Sequence, residues 1–501
     1  MKKKLYALAF LIPLLSFSQD FDFQLKTEVR EAIEDLRDFN KIPNNSLEHS
    51  DIMRNITWLT QKFNERGFNS AVLETEGEPL FFAVRPIVQG LPTVLFYMHF
   101  DGQPVDPSKW DQPNPYEVVL KRKEGDNWQQ VDWAELDKES DMNYDMRLFG
   151  RSVSDDKGPI VMMLNAIDLL KKNNKEIPFN VKVILDSEEE RSSKPLPNAV
   201  KKYRELLQAD FLIINDGPLH PSEKPTLVFG CRGITTVNLT TYGPVKPQHS
   251  GHYGNYAPNP GFQLSQLLAS MKDKDGKVIV KGYYDGISLD EKTKEVLNSV
   301  PDDEKAIRER LAFKSPEKVG QNYQEALQYP SLNVRGLSSG WTGAQARTIV
   351  PDKATAAIDI RLVPESDGNK LKDLIKKHIQ AEGYYVTDKA PTQEERMSHD
   401  KIVTFESGTV TPAFRTSLDD NYAKWVEDVL KNTFNEDVVK IRIMGGTVPT
   451  AAFINELNIP AVIVPMVNPD NNQHSPNENL RIWQISYGIE AFYNILSTAV
   501  K

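Results

Sequence analysis

The amino-acid sequence predicts an α/β protein with a mostly parallel sheet. Thr93–Met98 is apolar throughout, as expected of a central strand that is buried on both faces. Val181–Leu185 is a second strand-like run, rich in β-branched residues, and it leads into a cluster of carboxylates. Between them, the apolar residues of Ile160–Leu170 are spaced to cover one side of a helix. Buried strands interleaved with helices are typical of this fold class.

Length and composition predict two domains and exclude some partners. The chain has 501 residues, 40% hydrophobic and 26% charged, which is too long for a single core. The formal charge is −10 and no basic run follows the N-terminus, so nucleic acid is not an expected partner. The single cysteine, Cys231, predicts a protein without an internal disulfide.

Residues 1–18 have the pattern of a secretory signal peptide. Lys2–Lys4 precede the apolar run Leu5–Leu15, and the small residues Ser16 and Ser18 mark a cleavage site. The apolar run is short for a bilayer span, which favours removal over a stable membrane anchor. We therefore expect the mature protein to be exported, either periplasmic or secreted.

Acidic residues and a histidine follow the predicted strands. The run Asp186–Glu190 follows one strand, and His99 and Asp101 follow another. Open α/β sheets bind their ligands at the carboxyl ends of strands. A metal-binding histidine also needs a group for its other ring N–H, and Asp101 is suitably placed. The simpler alternatives are a solvated acidic loop and a histidine that bonds to a turn, so the pattern leaves both interpretations open.

Two other groups also have competing interpretations. Asp155 and Asp156 precede a predicted helix, where they suit an N-terminal cap, but Asp155 also suits a bridge between two cations. Arg361 lies within a strand-like segment, where it forms either a structural ion pair or a site for a carboxylate.

Nine short motifs follow one another along the chain, and in this order they resemble the M20 family of dinuclear-zinc metallopeptidases. The closest resemblance is to the dipeptidase branch, which includes the cytosolic nonspecific dipeptidases and carnosinases. It covers nearly the whole mature chain. The motifs are His99–Gly102, Gly150–Pro159, Ser187–Ser193, Asn215–Gly217, Gly230–Ile234, Gln248–Gly251, Ile360–Pro364, Gly445–Pro449 and Gln473–Glu478.

The resemblance implies a ligand set for two divalent metal ions. His99 and Asp216 would bind one ion, Glu190 and His474 the other, and Asp155 would bridge them. Nitrogen and oxygen donors without sulfur suit Zn²⁺, with Mn²⁺ or Co²⁺ as alternatives.

The same resemblance assigns the catalytic and substrate-binding groups. Asp101 would orient His99, and Glu189 would be the general base. In the alternative register, Glu188 would be the base and Glu189 the metal ligand. Arg361 would capture a substrate carboxylate, and His249 would stabilise an oxyanion in the site of the other subunit. The groups expected to bind the free C-terminus of a short peptide are Gly445, Gly446 and Thr447.

The resemblance also implies a domain layout, namely a catalytic domain interrupted by a smaller α+β lid that forms a homodimer. The predicted catalytic parts are residues 19–231 and 411–501, and the lid is residues 232–410. Strand-like and helical patterns in the lid segment are compatible with this layout. Gln103–Met146 is interpreted as a long polar connection.

Three positions depart from the family pattern. Ser152 stands where G-R-G is usual, Asp186-Ser187 where E-G is usual, and Ser192 where a glycine is usual. These positions fall between the implied ligands, so they bear on loop geometry and substrate preference.

The leading hypothesis is a metal-dependent exopeptidase that cleaves dipeptides or very short peptides. The runner-up is an N-acyl amino acid amidohydrolase on the same scaffold. A serine hydrolase is a distant alternative, since Gly336, Ser338 and Gly340 satisfy G-x-S-x-G, but a turn-like sequence follows where a helix is required. A non-catalytic binding protein on this scaffold would be expected to lack some of the metal ligands, and none of the five implied ligands is missing.

Overall fold

A computed structural model describes residues 12–137 and 142–500, with side chains from Phe21 onward in the first range. The predicted signal peptide, residues 1–18, therefore lies outside the described residues as far as residue 11. Within the described ranges, no helix is both long and apolar enough to cross a bilayer.

The first stretch of chain alternates helices and strands in the predicted manner. The two strands predicted here, Thr93–Met98 and Val181–Leu185, are present within one residue at each end, because continuous apolar runs bounded by polar residues define them. The helices are α1 (Ile12–Asn40), α2 (His49–Glu65), α3 (Lys157–Lys172), α4 (Leu196–Lys202) and α5 (Arg204–Leu207). The strands are β1 (Asn69–Leu73), β2 (Leu80–Val84), β3 (Thr93–His99), β4 (Val119–Glu124), β5 (Asn127–Gln130), β6 (Arg147–Phe149), β7 (Asn180–Asp186), β8 (Phe211–Ile214) and β9 (Thr226–Val228).

The middle stretch is a separate α+β segment. Its helices are α6 (Ser250–Tyr253), α7 (Pro260–Met271), α8 (Glu291–Ser299), α9 (Glu304–Leu311), α10 (Tyr323–Ala326), α11 (Gly368–Ala381) and α12 (Gln393–Ser398). Its strands are β10 (Gly230–Cys231), β11 (Gly233–Tyr242), β12 (Gln248–His249), β13 (Asn333–Ser339), β14 (Ile349–Val350), β15 (Lys353–Leu362), β16 (Tyr385–Thr387), β17 (Ile402–Ser407) and β18 (Phe414–Arg415).

The last stretch returns to the first fold pattern and ends in a largely buried helix. Its helices are α13 (Asn421–Phe434), α14 (Ala451–Leu457) and α15 (Ile482–Ser497). Its strands are β19 (Val439–Ile441), β20 (Ala461–Ile463) and β21 (Asn479–Arg481).

The main sheet confirms the predicted fold class. Its strand order is β1-β2-β7-β3-β8-β20-β9-β19. The central strands β7, β3, β8 and β20 are mutually parallel, whereas β1, β2 and β9 pair antiparallel. The central strands are almost entirely buried, which explains their unbroken apolar sequences. Helices α1, α3 and α15 contribute to the apolar core that covers the sheet.

The chain divides into two compact units. The catalytic unit comprises the described part of Met1–Phe229 together with Thr416–Lys440 and Val448–Lys501, and the lid unit comprises Gly230–Arg415 with Ile441–Thr447. The lid unit contains the sheet β13-β15-β11-β17-β16, which has its own core. Strands β11 and β15 alternate buried and partly exposed residues, as expected for a sheet with one packed face.

Gln103–Met146 was predicted as a polar connection, and this interpretation was incomplete. Strands β4 and β5 form a hairpin that joins β6 and β21 in a sheet of order β21-β6-β4-β5. Charged residues such as Lys121–Lys123 and Glu124 obscured the strand pattern. One face of β4 nonetheless packs inward, with Leu120 fully buried.

Candidate metal centre

Three parallel strands end at the same edge of the main sheet, and each delivers acidic or imidazole groups there. His99 ends β3 and is in register with Asp186 at the end of β7. The loop after β7 carries Glu189 and Glu190, and Asp216 follows β8. Because parallel strands point their carboxyl ends the same way, residues distant in sequence converge.

The five predicted ligands form two groups that share one aspartate. His99, Asp155 and Asp216 make up the first group, and Asp155, Glu190 and His474 the second. Within each group the ligand atoms lie within 4.8 Å of one another. Asp155 faces both groups, since its Oδ1 is 2.9 Å from His99 Nε2 and its Oδ2 is 3.1 Å from His474 Nε2.

The electrostatics of the cluster show carboxylates crowded into a poorly solvated space. Burial, together with neighbouring carboxylates, raises the pKa of Glu189 well above its ordinary value and that of Asp216 to about 6. Burial would also raise the pKa of Asp155, but hydrogen bonds from His474 and His99 outweigh it and lower that pKa. The same contacts with Asp155 and Glu190 raise the pKa of His474 to about 10. The clustered carboxylates therefore favour a positively charged group or ion at this position.

Asp101 connects the first ligand group with the glutamate run. Its Oδ1 lies 3.3 Å from His99 Nδ1. The same carboxylate accepts the backbone N–H groups of Glu189 at 3.0 Å and Glu190 at 3.2 Å. Asp101 is completely buried, and one side chain thus fixes the direction of both the histidine and the glutamate turn.

Glu188 and Glu190, in the run after β7, point in different directions. Glu188 turns away from the ligand groups, because its Oε2 accepts the backbone N–H of Glu78 at 2.9 Å. Glu190 Oε2 lies 3.0 Å from His474 Nε2 and also accepts a hydrogen bond from Gln103. The structure thus separates Glu188 from the cluster, as the register with Glu190 as ligand requires.

Glu478 organises the loop that carries Asp155, and the sequence did not single it out. Its buried carboxylate accepts hydrogen bonds from the backbone N–H groups of Ser152, Ser154 and Asp155, and from the Ser154 hydroxyl. Arg151 adds an ion pair at 2.7 Å. The available signal was its position within the histidine motif at Gln473–Glu478, four residues after His474.

The three departures from the family pattern have structural accounts. Ser152 and Ser192 take left-handed backbone conformations, with φ of 65° and 70°, where glycine is the unstrained choice. The Ser152 hydroxyl accepts a hydrogen bond from Asn44 at 2.9 Å. Asp186 accepts hydrogen bonds from the hydroxyls of Tyr97 and Ser193, so it ties the glutamate loop to β3.

The lid unit carries the predicted substrate-binding residues. Arg361 on β15 is partly buried, and its Nη1 donates to the Thr447 hydroxyl at 2.7 Å. Thr447 in turn donates to the backbone carbonyl of Arg232 at 2.6 Å. Gly445 and Gly446 precede Thr447, the first half-buried and the second exposed. The structural ion pair that was the alternative for Arg361 is absent among the described residues.

His249 and the G-x-S-x-G segment also lie in the lid unit. His249 is exposed, and its Nδ1 accepts the backbone N–H of Gly251 at 3.0 Å. Ser338 lies within β13, and the strand is followed by turns and a short 3-10 segment at Gly343–Gln345. No helix follows the serine here, so the geometry of a nucleophile elbow is missing.

A model of the family described as Peptidase family M20/M25/M40 matches residues 95–498. The chain belongs to this family. It is a hydrolytic metallopeptidase, as predicted, and its relatives include the expected dipeptidase branch. The M20 model covers both units and every motif from β3 onward.

Two curated relatives cover most of the chain. The Cys-Gly metallodipeptidase DUG1 of Candida albicans is 28% identical over 411 residues, which is 78% of this chain and 75% of that protein. The Beta-Ala-His dipeptidase of Homo sapiens is 25% identical over 409 residues, covering 80% of this chain and 73% of the relative.

Solved structures show the same M20 architecture. The M20 family metallo-carboxypeptidase Sso-CP2 from Sulfolobus solfataricus matches with a TM-score of 0.73 and 28% identity, over 93% of this chain and 98% of that one. The dipeptidase Dug1p from Saccharomyces cerevisiae matches with a TM-score of 0.70 and 22% identity, over 96% and 98%. At that identity the second match shows the fold only.

Proposed function

We propose that this M20 metallopeptidase is an exopeptidase that hydrolyses dipeptides or very short peptides with a dinuclear metal centre. The observation that carries the proposal is the pair of ligand groups that share Asp155. A shared carboxylate is the arrangement that two-metal hydrolases need to hold their ions close together. The relatives named above as dipeptidases support the choice of short peptides over N-acyl amino acids.

The donor set fits two divalent cations. His99, Asp155 and Asp216 would hold one ion, and Asp155, Glu190 and His474 the other. All donors are imidazole nitrogens or carboxylate oxygens, which suits Zn²⁺ as the proposed metal, with Mn²⁺ or Co²⁺ as alternatives. When bound, such ions lower the pKa of a water molecule and polarise the scissile carbonyl.

Glu189 is the proposed general base. Its backbone N–H is anchored by Asp101, and it lies beside the ligand residue Glu190 without belonging to either ligand group. In this role Glu189 takes a proton from the attacking water and later passes one to the leaving amine. Asp101 orients His99, because its carboxylate lies next to the ring nitrogen that faces away from Asp155.

Arg361 is the proposed carboxylate clamp. Its guanidinium bonds to the Thr447 hydroxyl and has no acidic partner among the described residues, so its charge is available to a ligand. A planar guanidinium suits bidentate capture of a peptide C-terminus, and Gly445, Gly446 and Thr447 offer further donors nearby in sequence. His249 is the proposed oxyanion-stabilising group, supplied by the other subunit of a homodimer.

The proposed homodimer forms through the lid unit. Strand β13 is an edge strand of the lid sheet, and its residues are mostly exposed. The exposed apolar side chains of Phe262, Leu337 and Trp341 lie along one shallow cavity. An exposed strand edge flanked by apolar side chains is a natural template for pairing with a second chain. Export to the periplasm or beyond remains a proposal based on residues 1–18.

The test is hydrolysis by the purified mature protein, with its metal content measured in the same preparation. We expect two metal ions per chain and turnover of dipeptides that a chelator abolishes and added Zn²⁺ restores. Matched N-acetyl and N-succinyl amino acids should be cleaved at least about 100-fold more slowly, which is the size of discrimination expected between a recognised substrate and a poorly matched one. Faster cleavage of the acyl compounds would favour the amidohydrolase instead.

A further inference from the structure

The lid unit contains a cavity that the proposed peptidase chemistry does not use. Its volume is about 510 Å³, which is within the range of small-molecule sites. Much of its wall is aromatic or aliphatic. The residues that provide this apolar lining include Tyr284, Tyr323, Tyr329, Phe313 and Ile307.

One cation on the cavity wall differs from the others. Arg232 is 7% exposed and has no acidic partner within the described part of the chain. Its Nη2 donates to the backbone carbonyl of Tyr329 at 2.6 Å, but its Nε has no hydrogen-bond partner. The remaining charged residues of the lining are all paired, namely Lys272 with Glu317 at 2.8 Å, Lys318 with Asp275 at 2.9 Å and Arg308 with Glu304 at 3.6 Å.

A buried guanidinium without a counter-charge is costly, and here a second one lies nearby. Burial and the neighbouring Arg361 lower the pKa of Arg232 to about 10. The Thr447 hydroxyl links the two arginines, since it accepts from Arg361 and donates to the Arg232 carbonyl. If Arg361 binds the substrate carboxylate, the charge of Arg232 is still uncompensated. An anion bound in the cavity would remove that cost.

We propose that this cavity is a separate binding site for an organic carboxylate with an apolar body. The Arg232 guanidinium, which belongs to the cavity wall and has no counter-charge among the described residues, would bind the carboxylate through a charge-assisted hydrogen bond. The aromatic and aliphatic wall would bury the body of the ligand. The proposed site uses none of the metal ligands and not the base, although Thr447 connects it with Arg361, the proposed substrate clamp.

Calorimetric titration of the metal-loaded protein with 3-phenylpropionate tests the site, with 3-phenylpropionamide as the neutral analogue. We expect the acid to bind. Arg232→Met should lower its affinity by about tenfold or more and remove the preference for the acid over the amide. Arg232→Lys should keep part of that preference. Ile307→Trp should weaken the binding of the acid and of the amide alike, because the indole ring would fill the cavity. Ile307 is distant in sequence from Arg361.

Arg308→Met is the matched control, because Arg308 lines the same cavity but is paired with Glu304. It should change the affinity by less than about twofold. The proposal is overturned if the acid does not bind at about 10 mM, if binding survives Arg232→Met or Ile307→Trp, or if Arg308→Met is equally damaging. If Arg232→Met does not fold, the Arg232→Lys and Ile307→Trp results decide in the same way. Dipeptide hydrolysis, measured separately, reports on the peptidase proposal.

Discussion

The catalytic unit and the lid unit arrange their functional charges in opposite ways. At the candidate metal centre, the buried carboxylates of Asp101, Asp186 and Glu478 each accept hydrogen bonds from several donors of the chain itself. In the lid unit, the two linked arginines, Arg232 and Arg361, have no acidic partners in the described chain. The acidic groups of the catalytic unit are thus held in position by the chain itself before any ligand binds. The two arginines of the lid unit, in contrast, have positive charge available to an anionic ligand.

The largest expected effect is on catalysis at the preorganised centre. Glu189→Gln should lower kcat by about 10³-fold, because it removes the general base without removing a metal ligand. The metal content should stay at the wild-type level, as measured by elemental analysis. Glu188→Gln is the matched control, since Glu188 bonds to the backbone of Glu78 instead, and it should retain most activity. The reverse result would assign the base to Glu188.

Next in size is the effect of loosening the loop that carries Asp155. Glu478→Gln should lower the free energy of unfolding by about 3 kcal/mol, because it leaves the buried Arg151 without its counter-charge. Urea denaturation measures this change. Glu223→Gln breaks a solvent-exposed ion pair with Arg481 and should cost less than about 1 kcal/mol. Equal losses in the two variants would contradict the anchoring role of Glu478.

A smaller, substrate-dependent effect is expected in the lid unit. Arg361→Met should raise KM for a dipeptide by about 30-fold, since it removes a charge-assisted bond to the C-terminal carboxylate. KM for the corresponding dipeptide amide should change much less, because the amide carries no negative charge. Steady-state kinetics with the pair of substrates measures the difference. Equal effects on the acid and the amide would refute the clamp.

The smallest effect tests a partly buried acid, which has no hydrogen-bond donors among the described residues comparable to those around Asp101 and Glu478. Burial on α15 raises the pKa of Glu490 to about 7 from an ordinary value of 4.5. Below pH 4.5 Glu490 is protonated in both the folded and the unfolded state, so it does not lower stability. As pH rises from 4.5 through 7, the unfolded chain releases this proton more readily, and the free energy of unfolding decreases. Across this pH range the free energy of unfolding of Glu490→Gln should rise by about 1 kcal/mol relative to that of the wild type, after allowance for partial exposure. Urea denaturation between pH 4.5 and 8 measures it, with the exposed Glu31→Gln as control.

Much of this organisation could be predicted from the sequence, for identifiable physical reasons. Unbroken apolar runs such as Thr93–Met98 and Phe211–Ile214 define buried parallel strands, and the polar residue that ends each run marks the functional edge. The five ligand positions followed from motif order, and the structure brings those residues together.

What escaped prediction depends on contacts between segments far apart in sequence. Glu478 bonds to a loop more than 300 positions earlier, and nothing local marks that pairing. Strand β4 was missed because four consecutive charged residues, Lys121–Glu124, interrupt its apolar pattern, and the burial of Lys121 against the Phe149 ring cannot be read from the sequence. The unpaired state of Arg232 is likewise visible only when all its neighbours are known.

The position of Asp101 has a consequence for the proposed binding of two metal ions. One carboxylate borders the ring of His99 and accepts the backbone N–H groups of Glu189 and Glu190, so a shift of His99 or of the glutamate loop would be transmitted to the other through this buried side chain. If two ions bind as proposed, their occupancies should therefore be thermodynamically linked through Asp101.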